Sequence, residues 1–220
     1  MQRSNLTFLL IFLAGVAVMG AYYLSTRPEA VPVVVTPPPE GPAETEQATI
    51  EGDEPGPFLA ISVAGEATGT ITIDLFEQAA PGHVEQIVAL AEAGEYDGVV
   101  FHRVIEGFMA QTGDVEFGRS GDDMRNAGMG GSDRPDLTAE FTDIPFDRGI
   151  VGMARSQDDN SANSQFFIMF APGHFLNGQY TVVGKVTAGL DVLDAIKLGK
   201  GQNGSVIGEP DQMSKVEVTD

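Results

Sequence analysis

The sequence predicts a mainly β domain, a closed barrel capped by two α-helices, standing behind an apolar N-terminal segment and a proline-rich linker. Three observations predict it. Short runs with strand periodicity recur from residue 58 onward, with turn residues between them. Only two stretches of that region have helical periodicity. The longest uncharged apolar run and eight of the 13 prolines all lie before residue 58.

Taken in order, residues 1–27 hold the apolar segment. Leu6 to Leu24 is 19 residues without a charge, and about 20 apolar residues span a bilayer as a helix. Tyr22 and Tyr23 sit where an interfacial aromatic belt would, and Arg3 with the free amine favours a cytoplasmic N-terminus against Arg27 alone. The competing reading is a signal peptide cleaved near residue 20. Its apolar region would be shorter, and Val18-Met19-Gly20 makes a poor cut site. Either reading exports the rest of the chain. The expectation is a single-pass membrane protein, anchored through residues 6–24, with its folded domain on the periplasmic side, or a secreted one if the segment is removed.

Residues 28–57 read as a linker. They contain Pro37-Pro38-Pro39, seven acids and no base, and such a segment stays extended and solvated. Residues 58–220 carry the folded domain. Thr70–Leu75 alternates with period 2, as a half-buried strand does. Val84, Ile87, Val88 and Ala91 then fall on one helical face, with Pro81 in the first turn and Gly94 as the C-terminal cap. Strand-like runs follow at Val99–Ile105, Phe108–Thr112, Gly149–Ala154, Gln165–Met169, Thr181–Val186 and Lys215–Val218, and Leu190, Leu193 and Ile196 mark a short second helix. Many short strands with few helices suggest the barrel.

Composition narrows the function. The formal charge of −20 argues against nucleic acid, whose phosphates demand basic patches. Residues 58–220 hold 25 acids against 10 bases, so the folded domain shares the acidity. With no cysteine, the chain has no disulfide, no catalytic thiol and no thiolate metal site. His83 and His174 lack metal-like spacing, Asp158-Asp159-Asn160 lacks the rest of a calcium loop, and Gly128–Ser132 lacks the lysine of a phosphate loop. No metal and no cofactor are expected.

The most informative stretch is Phe101-His102-Arg103-Val104-Ile105-Glu106-Gly107-Phe108-Met109-Ala110-Gln111-Thr112-Gly113-Asp114. It puts one arginine and one amide beside phenylalanine and methionine, the make-up of a small apolar recess with a polar rim. On a continuous strand Val99–Ile105, Phe101, Arg103 and Ile105 would share one face and His102 the other. His102 then reads as a satisfied structural histidine. Arg103 has no acid on its own face, so it opens onto a groove.

These fourteen residues match the Phe-His-Arg-x-x-x-x-Phe-Met-x-Gln-x-Gly-Asp signature at eight positions, and Ser164-Gln165-Phe166-Phe167 matches a second block. The chain resembles the cyclophilin family of peptidyl-prolyl cis-trans isomerases over residues 58 to 218. The resemblance implies an eight-stranded antiparallel barrel closed by two helices, with the site on an outer face. It implies Arg103 as the catalytic arginine, Phe108, Met109, Phe167 and Leu176 as the proline pocket, and Gln111 and Gln165 as backbone holders. Ala154 and Gly128 are implied as lining the neighbouring groove. The partners it implies are proline-containing polypeptides, bound by a monomer. The chemistry suits these residue types, because rotation about an X–Pro bond breaks amide resonance and leaves a nitrogen lone pair that a guanidinium meets.

Three residues depart from the family's pattern. Phe175 and Tyr180 stand where many members have tryptophan and histidine, and Arg155 stands where many have asparagine. Phe175 keeps an apolar wall without an indole donor, so weak binding of cyclosporin-type macrocycles is implied. Tyr180 still closes the pocket, and Arg155 brings a second cation to the groove. The stretch from Glu116 to Ala127 is longer than in compact relatives and is either a solvated loop or a lip that selects clients. The leading reading is an isomerase assisting the folding of exported proteins. A non-catalytic client-binding module or chaperone on the same fold is the alternative.

Overall fold

The computed structural model describes residues 56–219. The expected anchor Leu6–Leu24 and all of the linker before Gly56 lie outside the described residues. Among the described residues no helix is long and apolar enough to cross a membrane.

The described residues form nine strands in one antiparallel sheet: β1 (Phe58–Ala64), β2 (Gly69–Leu75), β3 (Val99–Val100), β4 (Arg103–Ile105), β5 (Met109–Thr112), β6 (Ile150–Met153), β7 (Phe166–Met169), β8 (Val182–Ala188) and β9 (Gln212–Thr219). Among the described residues two α-helices, α1 (Pro81–Glu92) and α2 (Leu190–Ala195), accompany it. The strand order is β3-β9-β1-β2-β8-β6-β7-β5-β4. The two edge strands, β3 and β4, are consecutive in the chain with only Phe101 and His102 between them. A sheet whose ends are joined by two residues has to curl.

That junction corrects the expected strand Val99–Ile105, and it is why nine strands stand where the resemblance implies eight. The backbone changes partner in mid-run. Val99 and Val100 pair with β9, whereas Arg103 to Ile105 pair with β5. Between them the amide of Phe101 donates to the carbonyl of Asp211 at 2.9 Å, and the amide of Val206 donates to the carbonyl of His102 at 3.0 Å. The bend also breaks the expected alternation. Phe101 packs in the main core with Val104, while Ile105 packs on the opposite side of the sheet.

β1 is a strand the sequence reading does not single out. Its Leu59, Ile61 and Val63 are buried at alternate positions and face the same core as Ile71 and Ile73 of β2. Burying each such side chain contributes roughly 1.5–3 kcal/mol. The helix α1 completes this core with Val84, Ile87, Leu90 and Ala91. Its start lacks a side-chain cap of its own. Glu140 supplies one from afar, accepting from the amides of Gly82 and His83 at 3.1 Å each and from Nδ1 of His83 at 2.6 Å.

Along β5 and β7 the side chains alternate between two apolar clusters. Ala110, Phe166 and Ile168 point into the main core, while Met109, Phe167 and Met169 point to the other face. That second cluster is where the predicted site residues gather.

Candidate active site

Three strands carry the site on one face. Arg103 lies opposite Gln111 in the β4–β5 ladder, and Gln111 lies opposite Phe167 in the β5–β7 ladder. Pairing across the ladder brings side chains on one face into contact. Nη1 of Arg103 donates to Oε1 of Gln111 at 3.1 Å, Nε2 of Gln111 donates to Oε1 of Gln165 at 2.9 Å, and Nε2 of Gln165 donates to the carbonyl of Gly130 at 2.8 Å. Both glutamines are therefore oriented by a single relay that starts at the cation.

Arg103 is half-buried, and among the described residues no carboxylate lies within ion-pair distance of it. Burial pulls its pKa below the ordinary arginine value, with the phenol of Tyr180 acting in the opposite direction. It stays a cation, as guanidinium groups in proteins do.

The apolar cluster beside it contains Met109, Phe167 and Leu176, with Phe108, Ala154 and Tyr180 packed at its margin. Phe167 is stacked on Phe146 at 5.7 Å and meets Tyr180 edge-on at 5.7 Å. Gly152 makes that stack possible. A Cβ there would stand 2.6 Å from ring atoms of both Phe146 and Phe167. Phe175 sits on a short 3-10 turn with Leu176, its ring 5.5 Å from Phe108 and its surface 66% exposed. An exposed aromatic held against another forms the open lip of a recess.

Gly128, Ala154, Arg155, Gln111 and Gln165 line a groove of about 290 Å³, which Gln111 links to the arginine through its hydrogen bond. Gly128 has a φ of +93° and packs against the ring of His102. Its amide donates to Oδ2 of Asp114 at 2.7 Å. Asp114, fully buried, also accepts from the amides of Glu116, Phe117 and Gly130. The last residue of the signature is thus a clasp that sets the groove wall.

One expectation gains detail here and another changes. The Arg155 cation is taken up within the protein. Its guanidinium donates to the carbonyls of Gln179 and Ser156, pairs with Asp159 at 2.9 Å and lies 4.6 Å over the Tyr180 ring. Its side chain props Tyr180 rather than projecting freely into the groove. His102 is buried, but neither ring nitrogen has a hydrogen-bond partner among the described residues. Burial lowers its pKa to about 4, so the ring is neutral.

The long stretch after Asp114 runs along the β3 edge. The amide of Ser120 donates to the carbonyl of Gly98, Arg119 bridges to Val99, and the Arg119 side chain pairs with Glu95. Ser120, Asp122 and Met124 line a different recess, of about 590 Å³, with Glu66 and Lys197. No residue from Glu116 to Ala127 lines the groove beside Gln111; Gly128 to Gly130, which follow the stretch, do. Covering a sheet edge is a sufficient physical reason for its length.

Sequence reasoning missed Asn203. Its backbone carbonyl accepts from Nε of Arg103 at 3.0 Å, and its Oδ1 accepts from Nη2 at 3.2 Å. It lies in the stretch Gly199-Lys200-Gly201-Gln202-Asn203-Gly204-Ser205, which reads locally as a turn. Nothing in that local composition points to an arginine 100 residues away.

With this geometry in view, the chain can be set beside known proteins. The profile of the family described as cyclophilin type peptidyl-prolyl cis-trans isomerase/CLD matches residues 58–218. A probable peptidyl-prolyl cis-trans isomerase of Brucella suis is 56% identical over 152 residues, covering 68% of this chain and 78% of that one. Among solved structures, a cyclophilin from Hirschia baltica has a TM-score of 0.60 at 25% identity, covering 75% of this chain and 74% of that one. A cyclophilin type peptidyl-prolyl cis-trans isomerase of Cryptosporidium parvum, solved in the presence of the dipeptide Ala-Pro, has a TM-score of 0.62 at 24% identity, covering 74% of this chain and 99% of that one. The chain belongs to the cyclophilin-type peptidyl-prolyl cis-trans isomerases, enzymes that interconvert the cis and trans forms of X–Pro bonds.

Proposed function

We propose that Arg103 is the catalytic group and that it acts by meeting the prolyl nitrogen as the peptide twists. The observation that carries this is a half-buried guanidinium with no carboxylate partner among the described residues, set beside an apolar recess and held by an uncharged amide. A twisted amide loses its resonance and concentrates a lone pair on nitrogen. The cation meets that lone pair only in the twisted state, so the interaction lowers the barrier instead of merely tightening binding. An uncatalysed X–Pro bond turns over in tens of seconds, so ~100 events per second needs roughly 5–6 kcal/mol of barrier lowering. Electrostatics of this kind together with anchoring of the ring are of that order.

The other residues divide the remaining work. Phe108, Met109, Phe167 and Leu176 seat the proline ring, with Phe175 and Tyr180 as its walls. Gln111 and Gln165 hold the peptide backbone, and Gly128 and Ala154 border the groove along which the preceding residues run. Arg155 acts through Tyr180. The clients are proline-containing polypeptides, a reading supported by the dipeptide in the Cryptosporidium parvum crystal. The sheet works as a closed barrel, with the bend at Phe101 and His102 joining its edges, and the enzyme acts as a monomer. It stands on the periplasmic side of the cell membrane, tethered by residues 6–24 and a 28–57 linker, and assists the folding of exported proteins. The length and charge pattern of the N-terminal sequence support this placement.

The test is an NMR exchange measurement on a proline peptide with the full chain. Arg103→Ala should slow the exchange by at least about a hundredfold. Exchange at the wild-type rate would remove Arg103 from the mechanism. Protection of unfolded clients by that variant, with exchange unaffected, would favour a binding module instead. For location, protection of the domain from protease added outside spheroplasts would overturn export.

A further inference from the structure

We infer that Asn203 is the residue that aims Arg103. A guanidinium carries five N–H groups in a rigid fork. Asn203 engages that fork twice, through its carbonyl on Nε at 3.0 Å and through Oδ1 on Nη2 at 3.2 Å, while Gln111 takes Nη1 at 3.1 Å. Two contacts from one residue fix the plane of the group as well as its place. The remaining N–H groups are then the ones offered to a bound peptide.

The backbone at Asn203 shows that this hold is built in. Its φ of +56° is left-handed, and no other described residue except glycine has a positive φ. Asparagine tolerates that region, and such strained backbone gathers at functional sites. The conformation turns the carbonyl and the side chain of one residue toward the same guanidinium. The surrounding loop is fastened along β4. The amide of Gly199 donates to the carbonyl of Val104 at 2.9 Å, the amide of Val206 donates to the carbonyl of His102 at 3.0 Å, and Ser205 bridges to Arg103. Any Cβ at Gly199 would collide with the carbonyl of Gly204, and one at Gly204 would collide with Ile105. The loop therefore lies close against the strand that bears the arginine and cannot drift from it.

Aim matters more for the twisted state than for the bound peptide. The nitrogen lone pair develops only as resonance is lost, and a misdirected donor forfeits most of its effect there. The loss should fall on kcat and leave KM alone, which is what separates an aiming residue from one that merely supports the fold.

The inference rests on Arg103 being the catalytic cation, and the experiment keeps the two apart. Asn203→Gly retains the carbonyl and the left-handed backbone but removes Oδ1. In the full chain, kcat on a proline peptide should fall roughly three- to tenfold with KM within about twofold. Its melting temperature should stay at the wild-type value, because glycine adopts this φ freely. Asn203→Ala, which also puts a Cβ residue on left-handed backbone, should lose at least as much kcat. If Asn203→Gly turns over within about twofold of wild type while Arg103→Ala is inactive, Asn203 does not aim the arginine. A loss appearing in KM with kcat retained overturns it equally. If Arg103→Ala keeps wild-type activity, the underlying reading of Arg103 fails first.

Discussion

Removing the Glu140 carboxylate by alanine substitution takes three hydrogen bonds from the start of α1 in one step. Two are cap contacts to the amides of Gly82 and His83, at 3.1 Å each, and the third is the 2.6 Å contact to Nδ1 of His83. Loss of a cap costs about 1 kcal/mol. His83 adds to this because its ring is fully buried and Nε2 already has no partner among the described residues. Without Glu140 neither ring nitrogen is paired, a further cost of about 1–3 kcal/mol. The sum is about 2–4 kcal/mol, or a melting temperature lower by about 5–15 °C for a domain of this size. The pH dependence has a definite sign. Burial works to raise the Glu140 pKa, but the His83 ring and the two amides outweigh it and hold the carboxyl below its ordinary value of 4.5. Its contribution is therefore complete above that ordinary value and fades as pH falls through the lower folded value. Urea titrations of wild type and Glu140→Ala near neutral pH, repeated below about pH 4, measure both effects. A difference under about 0.5 kcal/mol at neutral pH, or one that widens in acid, would refute the reasoning.

Two further substitutions probe the site from opposite sides. Gly152→Ala places a Cβ 2.6 Å from the rings of Phe146 and Phe167, so it should cost about 1–3 kcal/mol and raise KM by displacing the pocket wall. Denaturant unfolding together with KM on a proline peptide tests this, and an unchanged KM would count against Phe167 as that wall. Gln111→Ala cuts the relay between Arg103 and Gln165. It should lower kcat about tenfold while stability moves by less than about 1 kcal/mol, and a kcat within about twofold of wild type would show that the relay is dispensable.

Which parts were legible in the sequence depends on how local each signal is. The face of α1 is visible because Val84, Ile87 and Ala91 repeat at helical spacing, and all three are buried. β2 is visible because Thr70 to Leu75 alternates, and its Ile71, Ile73 and Leu75 are buried. The run Val99–Ile105 misled because periodicity cannot register a change of pairing partner. Each half is strand-like, yet one belongs to β9 and the other to β5. The partners of Arg155 were equally out of reach. Its charge is evident from the sequence, but the Gln179 carbonyl and Tyr180 ring that take it up arrive from another segment.

The sequence by itself determined the family, the strand periodicity and, Asn203 apart, the residues named around Arg103, because eight identities within fourteen consecutive positions are a local pattern that needs no coordinates. Only the tertiary structure decided how those residues are held. Asp114 clasps the groove wall through four backbone amides, Gly152 makes room for the Phe146–Phe167 stack, and Asn203 grips the guanidinium from 100 residues away. The physical reason is the range of the interactions. Propensity and periodicity act between neighbours in the chain, whereas hydrogen bonds and packing act between neighbours in space, and the curled sheet determines which residues those are.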